Sequence, residues 1–349
     1  MITLGIETSC DETAVSVLKN GKILSNEVAS SLRFHKQYGG IVPEIATRYH
    51  IETIDAVCNK ALIHARIKRN QIDLIAFTYG PGLVGSLLVG ISFAKALGYS
   101  LGVPILGINH LQAHTFSACI GKKSIPFPCI SLIISGGHTC LAYVKDADSF
   151  TLLGQTTDDA AGEAFDKVSK ILGFGYPGGP IIESLAQKGD PEKTKFSYTK
   201  GQMQSLDFTF SGLKTAVLYY VRDAQARNKK IRKVDVASTF QKIIIETLFE
   251  KVKLACTLKK TKTIVIGGGV SINRALREYF TKSAHRYDLE VIFPDSRLCL
   301  DNGAMVAALG EYLFRKKRFI SDFYVSAISN LGFDSNYKGD GYGRFRNCN

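Results

Sequence analysis

The sequence lacks the features that direct a chain out of its compartment. Met1 is followed at once by the strand-like run ITLGIE, so no basic region and apolar plug of a secretion signal stand there. The most apolar window, GLVGSLLVGISFAKALGYSLG, is broken by serines, glycines and Lys95 before it reaches the ~20 apolar residues of a membrane span. We therefore expect a cytoplasmic protein with no membrane partner and a buried helix in this window.

Motifs of common redox and nucleotide sites are missing as well. The eight cysteines are scattered with no pair closer than ten residues, so the sequence contains neither a zinc ribbon nor a C-x-x-C motif. No G-x-G-x-x-G or G-x-x-x-x-G-K-[ST] is present, which disfavours a Rossmann dinucleotide site and a Walker ATPase. A reducing cytosol fits the scattered thiols.

Acidic residues are few relative to basic ones. The chain of 349 residues has 44 Lys and Arg against 31 Asp and Glu, a net charge of +13. The charge is concentrated in RNKKIRK (227–233), KLACTLKKTK (from 253) and RKKR (315–318). Solvated helix faces explain any one cluster equally well, but the three together favour a nucleic-acid-binding surface.

Strand and helix patterns alternate along the chain, and one arrangement occurs twice. The run ITLGIE leads through the polar turn TSCDET to a hairpin around Asn20-Gly21. From residue 128 the run PCISLII leads through SGGHT to two further strand-like runs. We predict an α/β protein with two lobes. The organisation resembles the actin-like superfold of actin, sugar kinases and heat-shock chaperones, which implies a ligand cleft between the lobes.

The same patterns give a domain division. Residues 1–122 are predicted to form the first actin-like lobe, completed by 301–320, and 123–300 the second lobe. Residues 321–349 are polar and rich in glycine toward their end, so we expect a C-terminal tail.

A pair of histidines is the first candidate for chemistry. His110 and His114 are four residues apart in a predicted helix and can therefore reach one metal ion. The metalloprotease signature H-E-x-x-H needs a glutamate at position 111, but Leu111 stands there. Asp301, before the last helix, is either an N-cap or a third ligand, and two imidazoles with one carboxylate leave positions open on Zn²⁺ or Fe²⁺.

Glycine-rich turns and carboxylates are further candidates. ISGGHT (134–139), GYPGGP (175–180) and VIGGGVSINR (265–274) are tight turns whose backbone N–H groups can approach phosphate oxygens. Asp158 and Asp159 are candidate functional carboxylates, with an N-cap of the helix that follows as the alternative role. Asp11 and Glu12 lie in the first turn, either as solvated carboxylates or as functional groups.

Nine motifs in register resemble one known family. They are GIETSCDETAVSV, GPGLVGSLLVG, NHLQAH, SGGHT, DDAAGEAFDKVSK, GYPGGP, FSGLKTAV, GGGVSINRALR and DNGAMVA. In this order and spacing they are similar to the bacterial TsaD family, tRNA N6-adenosine threonylcarbamoyltransferase, over residues 2 to about 320.

The resemblance implies a reaction and its site. The threonylcarbamoyl group of threonylcarbamoyl-AMP would pass to the N6 amine of the adenosine 3′ of the anticodon in tRNA, and AMP would leave. One divalent metal, with Fe²⁺ favoured by the resemblance and Zn²⁺ the alternative, is implied at His110, His114 and Asp301. The implied substrate-binding residues are Ile133, Ile134, Ser135, Gly136, Gly137, Asp166, Gly179, Glu183 and Asn273.

Other implications of the resemblance concern single residues and partners. Glu183 stands where many members have an aspartate, and it keeps the negative charge on a longer side chain. Asp11 and Glu12 are candidate proton acceptors for the attacking amine. The implied partners, besides tRNA and threonylcarbamoyl-AMP, are a TsaB-like paralogue and a TsaE-like ATPase.

Three alternatives stay open. An old label of the family makes a metal-dependent endopeptidase one alternative, against which Leu111 counts. A small-molecule kinase of the same superfold leaves the histidine pair unexplained. A non-catalytic scaffold is compatible with the composition.

Overall fold

The chain is divided into two compact units. The computed structural model describes residues 1–121, 127–198, 205–317 and 323–335. Unit 1 comprises Met1–Ile125, Asp146–Phe150 and Leu300–Asn349, and unit 2 comprises Pro126–Lys145 and Thr151–Cys299. The predicted lobe boundary at 122/123 lies outside the described residues, so the predicted domain division stays a prediction.

Strands and helices alternate as predicted. In chain order the described strands are β1 (Ile2–Glu7), β2 (Glu12–Lys19), β3 (Lys22–Ser30), β4 (Leu74–Gly80), β5 (Ile105–Asn109), β6 (Cys129–Ile134), β7 (Thr139–Asp146), β8 (Ser149–Gln155), β9 (Thr263–Gly267) and β10 (Glu290–Ile292). The described α-helices are α1 (Leu32–His35), α2 (Pro43–Ala65), α3 (Val84–Leu101), α4 (His110–Ser117), α5 (Ala161–Ile171), α6 (Gly178–Ala186), α7 (Ser211–Ala226), α8 (Lys233–Lys259), α9 (Arg274–Arg286) and α10 (Gly303–Arg315).

Unit 1 contains a five-stranded mixed sheet with the order β3-β2-β1-β4-β5. Strand β1 is antiparallel to β2 and parallel to β4. The turn between β2 and β3 has positive φ at both central residues, 52° at Asn20 and 76° at Gly21. A two-residue hairpin turn of this kind matches the twist of the strands and favours Asn-Gly. The predicted hairpin is confirmed.

Unit 2 repeats this topology. Its sheet has the order β10-β9-β6-β7-β8. Its central strand β6 is antiparallel to β7 and parallel to β9, as β1 is to β2 and β4. Each unit therefore begins with a strand, a turn and a second strand that folds back beside it. The predicted α/β fold with a repeated strand-turn-hairpin is confirmed.

Helix α3 lies in the predicted apolar window. Its 18 residues have a mean hydropathy of 1.4, and by length and composition alone it is a candidate membrane span. Leu87, Ile91 and Ala94 on one face are buried in the hydrophobic core of unit 1. The predicted burial is confirmed for this face only, since 39% of the helix is buried and Leu88 and Tyr99 are exposed.

Helix α10 packs directly on the backbone of β1. A Cβ atom at Gly5 would lie 2.1 Å from the carbonyl oxygen of Gly303, and one at Gly303 would lie 2.5 Å from the backbone nitrogen of Ser16. Glycine is required on both sides because any larger residue would push the helix off the sheet. The beginning of α10, which follows Asp301, is thereby fixed beside the end of β1.

The C-terminal segment differs from the predicted tail over its described part. Val325 and Phe333 are 1% and 2% exposed, and Leu331 is buried too. The Ile328 N–H donates to the Tyr79 carbonyl at 2.9 Å, which ties the segment to the end of β4. Residues 323–335 are thus part of unit 1, because three buried apolar side chains anchor them. The cations Arg344 and Arg346 lie outside the described residues.

Candidate functional site

Strand β5 continues without a loop into helix α4, and this places the two histidines. The Asn109 side chain is the N-cap, and its Oδ1 accepts hydrogen bonds from Leu111 N and Gln112 N. The helix therefore begins at His110, and His114 follows one turn later on the same face. Both rings are buried, with centroids 4.6 Å apart.

Asp301 lies against both imidazoles. Its Oδ1 is 3.0 Å from His114 Nε2 and 3.6 Å from His110 Nε2. The alternative role as an N-cap is not realised, because α10 begins at Gly303 and Asn302 caps it by accepting from Met305 N. Asp301 therefore lies beside the imidazoles and does not cap α10.

The donor set fits a divalent transition metal. One ligand atom from each of His110, His114 and Asp301 lies within 4.8 Å of the others. Among the described residues, no other group of three or more His, Cys, Asp or Glu side chains has its ligand atoms this close together. Two imidazole nitrogens and one carboxylate oxygen suit Fe²⁺ and Zn²⁺ and leave coordination positions open for a substrate.

Behind His110 lies a carboxylate that the sequence motifs did not assign. Glu7 Oε2 is 3.0 Å from His110 Nδ1, and the Glu7 side chain is completely buried. Thr78 Oγ1 donates to Oε2 at 2.5 Å, and Ser9 N donates to Oε1 at 2.6 Å. The only signal in the sequence is an acidic residue that ends an otherwise apolar first strand.

The buried charges shift the pKa of His110 and of Glu7. Burial by itself would lower the pKa of His110, but the charges of Glu7 and Asp301 and the hydrogen bond to Glu7 raise it to about 9. Burial works against ionisation of Glu7, but His110 holds the pKa of Glu7 below its ordinary value. Without a metal, the two residues therefore form a buried ion pair at neutral pH.

Asp11 and Glu12, the candidate proton acceptors, are less solvated than a turn would suggest. Asp11 is 8% exposed, and Glu12 is half-buried at the start of β2. Burial and the nearby charges of Asp11 and Asp301 raise the pKa of Glu12 well above its ordinary value. A carboxylate with a raised pKa is a stronger base when it is ionised, which makes Glu12 a candidate for proton transfer.

Two further buried histidines, which sequence analysis missed, hold the backbone of this turn. His50 Nε2 donates to the Cys10 carbonyl at 3.0 Å. His35 Nε2 is 2.9 Å from Ser31 Oγ, which in turn donates to the Asp11 carbonyl at 3.0 Å. Burial lowers the pKa of His50, so its ring is neutral near pH 7. The main chain of the turn is thus fixed by these histidines, whereas the Glu12 side chain accepts a hydrogen bond from Ser30 Oγ at 3.3 Å.

The nine predicted substrate-binding residues all lie in unit 2, at the ends of neighbouring elements. Ile133 and Ile134 end β6, and Ser135, Gly136 and Gly137 form the turn to β7. Asp166 in α5 accepts from Gly178 N at 2.6 Å, which fixes the turn before α6. Burial raises the pKa of Asp166 even though backbone N–H groups of Gly178 and Gly179 oppose the shift.

A continuous series of contacts joins these elements. A Cβ at Gly162, near the start of α5, would lie 2.5 Å from the Ser135 carbonyl, and one at Gly268 would lie 2.4 Å from the Ile134 carbonyl. Glu183 accepts from Arg274 N at 2.7 Å, which joins α6 to the first turn of α9. The structure therefore brings all nine residues to one edge of unit 2.

Two of the nine have structural partners. Asn273 caps α9 through Leu276 N, and its Nδ2 donates to Gln241 Oε1 at 2.8 Å. The Glu183 carboxylate stands at the N-terminus of the same helix, where it is favoured by the helix dipole. Both residues position α9 whatever else they contact.

Asp158 and Asp159 do not cap the helix that follows them. The N-cap of α5 is Ala160. Asp158 instead accepts from Phe210 N at 2.8 Å and from the hydroxyls at the start of α7, and Asp159 pairs with Lys167 and Lys214. The N-cap interpretation is wrong because Asp158 is held by groups 51 to 53 residues away in sequence, beyond the reach of a local pattern.

A separate cavity of about 930 Å³ opens beside α8 in unit 2. Its lining includes Tyr198, Phe208, Tyr279 and Tyr287 and none of the nine predicted residues. Volume alone therefore does not locate the predicted substrate site.

The sequence matches the TsaD family, described as tRNA N6-adenosine threonylcarbamoyltransferase, over residues 22–308. The tRNA N6-adenosine threonylcarbamoyltransferase of Thermosipho africanus is 48% identical over 331 residues, which cover 95% of this chain and 99% of that protein. The enzyme of the same name from Dictyoglomus turgidum is 46% identical over 333 residues, covering 95% and 98%.

Solved structures show the fold. HypF of T. kodakarensis aligns with a TM-score of 0.61 at 14% identity, over 93% of this chain and 49% of that protein. Component A of (R)-2-hydroxyglutaryl-CoA dehydratase from Acidaminococcus fermentans aligns with a TM-score of 0.50 at 18% identity, over 90% and 98%. These likenesses support the predicted two-lobed actin-like fold class.

Sequence, fold and metal-binding group agree with one another. The relatives match almost end to end, and the residues expected to bind the metal converge in unit 1. The chain belongs to the TsaD family of tRNA N6-adenosine threonylcarbamoyltransferases.

Proposed function

We propose that the chain transfers the threonylcarbamoyl group of threonylcarbamoyl-AMP to the N6 amine of the adenosine 3′ of the anticodon in tRNA and releases AMP. The observation that carries this activity is the 44–48% identity, over 95% of the chain, to relatives named for it. The acceptor substrate is therefore tRNA, and a net charge of +13 suits a polyanion.

A divalent ion is proposed at His110, His114 and Asp301, and the family resemblance favours Fe²⁺ over Zn²⁺. Two Nε2 atoms and one carboxylate oxygen that face one another support this assignment. When bound, the ion supplies Lewis acidity that polarises and positions the threonylcarbamoyl end.

The nine residues at the edge of unit 2 are proposed to bind the adenylate part of the donor. A Cβ placed on Gly136, Gly137 or Gly179 would meet no atom within 4 Å, so a ligand can approach these backbones closely. Turn N–H groups with no side chain in the way suit phosphate oxygens. Ile133, Ile134, Ser135 and Asp166 are proposed to contact the donor, and Glu183 and Asn273 to position its surroundings.

The transfer itself is proposed as attack of the N6 amine on the carbamoyl carbonyl carbon. The new C–N bond forms as the C–O bond to the phosphate breaks, and AMP carries away that electron pair. The amine loses one proton, and Glu12 is the proposed acceptor, with Asp11 as its neighbour. The raised pKa of Glu12 supports this role.

We further propose a cytoplasmic protein that works with a TsaB-like paralogue and a TsaE-like ATPase. Family membership supports these partners. The free state of the seven cysteines in the described part of the chain fits a reducing compartment.

Substitution of the metal-binding group tests the proposal. We expect His110→Ala, His114→Ala and Asp301→Ala to reduce formation of threonylcarbamoyladenosine by at least ~100-fold, because each removes one ligand. The assay contains the full chain and its partners, a competent synthase, tRNA, threonine, bicarbonate and ATP, and the nucleoside is measured by mass spectrometry. His285→Ala, at an exposed histidine in α9, is the matched control and should leave activity unchanged.

The same assay separates the alternatives. Unchanged modification in all three variants overturns the metal-dependent mechanism. Absence of modification by the wild-type chain overturns the transferase, and metal-dependent cleavage of a glycoprotein would then support the endopeptidase. Two observations count against the endopeptidase. Leu111 stands where H-E-x-x-H has its catalytic glutamate. Glu7 cannot take that role, because it contacts Nδ1 of His110, on the side that faces away from Asp301.

A further inference from the structure

Glu7 is the last residue of β1 and is completely buried. Its carboxylate accepts hydrogen bonds from Ser9 N and Thr78 Oγ1, at 2.6 and 2.5 Å, and lies 3.0 Å from His110 Nδ1. A buried carboxylate is expensive unless its oxygens are all partnered, and here they are. The cluster therefore connects β1, β4 and α4 at the point where the metal-binding helix begins.

The contacts define which nitrogen of His110 faces the ligand group. An ionised carboxylate only accepts hydrogen bonds, so the proton between Glu7 and His110 belongs to Nδ1. The ring nitrogen left to bind a metal, once its own proton is displaced, is then Nε2, which faces Asp301 at 3.6 Å. A ring held in this tautomer already presents the correct atom to a metal.

The second histidine lacks such support. His114 Nδ1 is buried, and within the described ranges no atom serves as its hydrogen-bond partner. Among the described residues, His110 is therefore the one imidazole of the pair whose Nδ1 contacts a carboxylate. Loss of that carboxylate should affect one ligand and leave the other two in place.

We propose that Glu7 is a positioning residue for the metal. It fixes His110 with Nδ1 protonated and Nε2 directed at Asp301, and its negative charge on the Nδ1 side of His110 would strengthen this imidazole as a ligand. This inference rests on the metal site of the proposed function and goes beyond it by naming a residue that touches neither the ion nor the substrate. Partners of this kind typically change metal affinity by about 10- to 100-fold.

Metal affinity of the full chain tests the proposal without reference to tRNA modification. The metal-free protein is titrated with Co²⁺, whose visible absorption reports coordination, and the affinity for Zn²⁺ is measured by competition with a chelator. We expect Glu7→Gln to bind either ion about 10- to 100-fold more weakly and to change the Co²⁺ spectrum.

Glu311→Gln is the matched control. Glu311 is another buried glutamate of unit 1, 4% exposed, and it pairs with Arg315 in α10 rather than with a histidine. The control loses a buried carboxylate too, so a loss of metal affinity that came merely from disturbed packing would appear in both variants. We expect its Co²⁺ spectrum and Zn²⁺ affinity to match the wild type.

A weaker variant covers the case in which Glu7→Gln does not fold, as judged by circular dichroism. Thr78→Val keeps the carboxylate and removes one of its hydrogen bonds, and we expect about fivefold weaker Zn²⁺ binding. Wild-type affinity in every variant that folds overturns the role of Glu7 and leaves the metal site standing. A wild-type chain that binds neither ion overturns both.

Discussion

At the scale of single residues, a proton and a metal compete for the same atom of His110. The pKa of His110 is raised to about 9, because the charges of Glu7 and Asp301 outweigh the opposing effect of burial. In the unfolded chain the pKa returns to about 6.5. The stabilisation from this ion pair is therefore complete below pH 6.5 and is lost as the pH rises through about 9.

This competition makes metal binding depend on pH. A metal must displace the Nε2 proton of His110, so Zn²⁺ affinity should rise by up to about tenfold per pH unit between pH 6 and 8. Titration calorimetry in two buffers of different ionisation enthalpy counts the released protons, and about one is expected at pH 7. Proton-independent binding over this range would contradict a protonated His110.

Spacing along the chain predicted the histidine pair, but it did not predict the residue behind it. The His110 and His114 prediction needed one turn of helix, which is a local rule. Glu7 reaches His110 across 103 residues, and only the parallel pairing of β1 with β4 and β4 with β5 brings them together. The sequence also left the role of Asp301 open between an N-cap and a metal ligand. Only the structure shows that the neighbouring Asn302 is the N-cap of α10.

At the scale of elements, helix α4 depends on a distant part of the chain. It has eight residues, too few to be stable alone in water. Asn109 Nδ2 donates to the Gly332 carbonyl at 2.8 Å, and Gln112 Nε2 donates to the Phe333 carbonyl at 2.9 Å. The C-terminal segment 323–335 therefore holds the helix that carries both histidines. The contact of this segment with α4 was not predictable from the sequence, because its few apolar residues do not establish a helical or strand period.

Removal of one anchor tests this dependence. Phe333 is 2% exposed, and its ring centroid lies 5.5 Å from that of Phe150. Phe333→Ala should lower the free energy of unfolding by about 3 kcal/mol, measured by urea denaturation, and should weaken Zn²⁺ binding. Tyr324→Ala, at a 73% exposed position of the same segment, should change stability by less than about 0.5 kcal/mol. Equal effects of the two substitutions on stability and Zn²⁺ binding would argue against stabilisation of α4 by the C-terminal segment.

At the scale of the whole molecule, the sequence predicted the class of the fold more fully than its connections. The repeated strand-turn-hairpin indicated two similar units, and both sheets do share one strand order. Which helices meet was not predictable, since contacts such as that of Glu183 in α6 with Arg274 N in α9 depend on how the helices pack. The family resemblance, and not periodicity, supplied the reaction and the nine residues of unit 2.

Charge is the remaining property of the whole chain that bears on tRNA. In the cluster at 227–233, which connects α7 to α8, all five cations are exposed. Arg232 pairs with Asp235 at 3.4 Å, and Lys233 lies over the Phe174 ring, so these two also have structural contacts. Arg227, Lys229 and Lys230 are therefore the better positions for a test, because their replacement leaves those contacts intact.

We expect the triple substitution of Arg227, Lys229 and Lys230 by Gln to weaken tRNA binding and to flatten its salt dependence. Log affinity falls as log salt concentration rises, and each lost phosphate contact makes this negative slope shallower by about 0.7 to 0.9. The loss of three contacts should therefore make the slope shallower by about 2 to 3. Fluorescence anisotropy of labelled tRNA at several salt concentrations measures the slope. The matched control replaces the exposed Lys19, Lys22 and Lys36 by Gln, an equal change of net charge in unit 1. Equal slopes for the cluster variant and this control would mean that RNKKIRK contributes only overall charge, whereas a flatter slope confined to the cluster variant identifies a contact surface for the tRNA backbone.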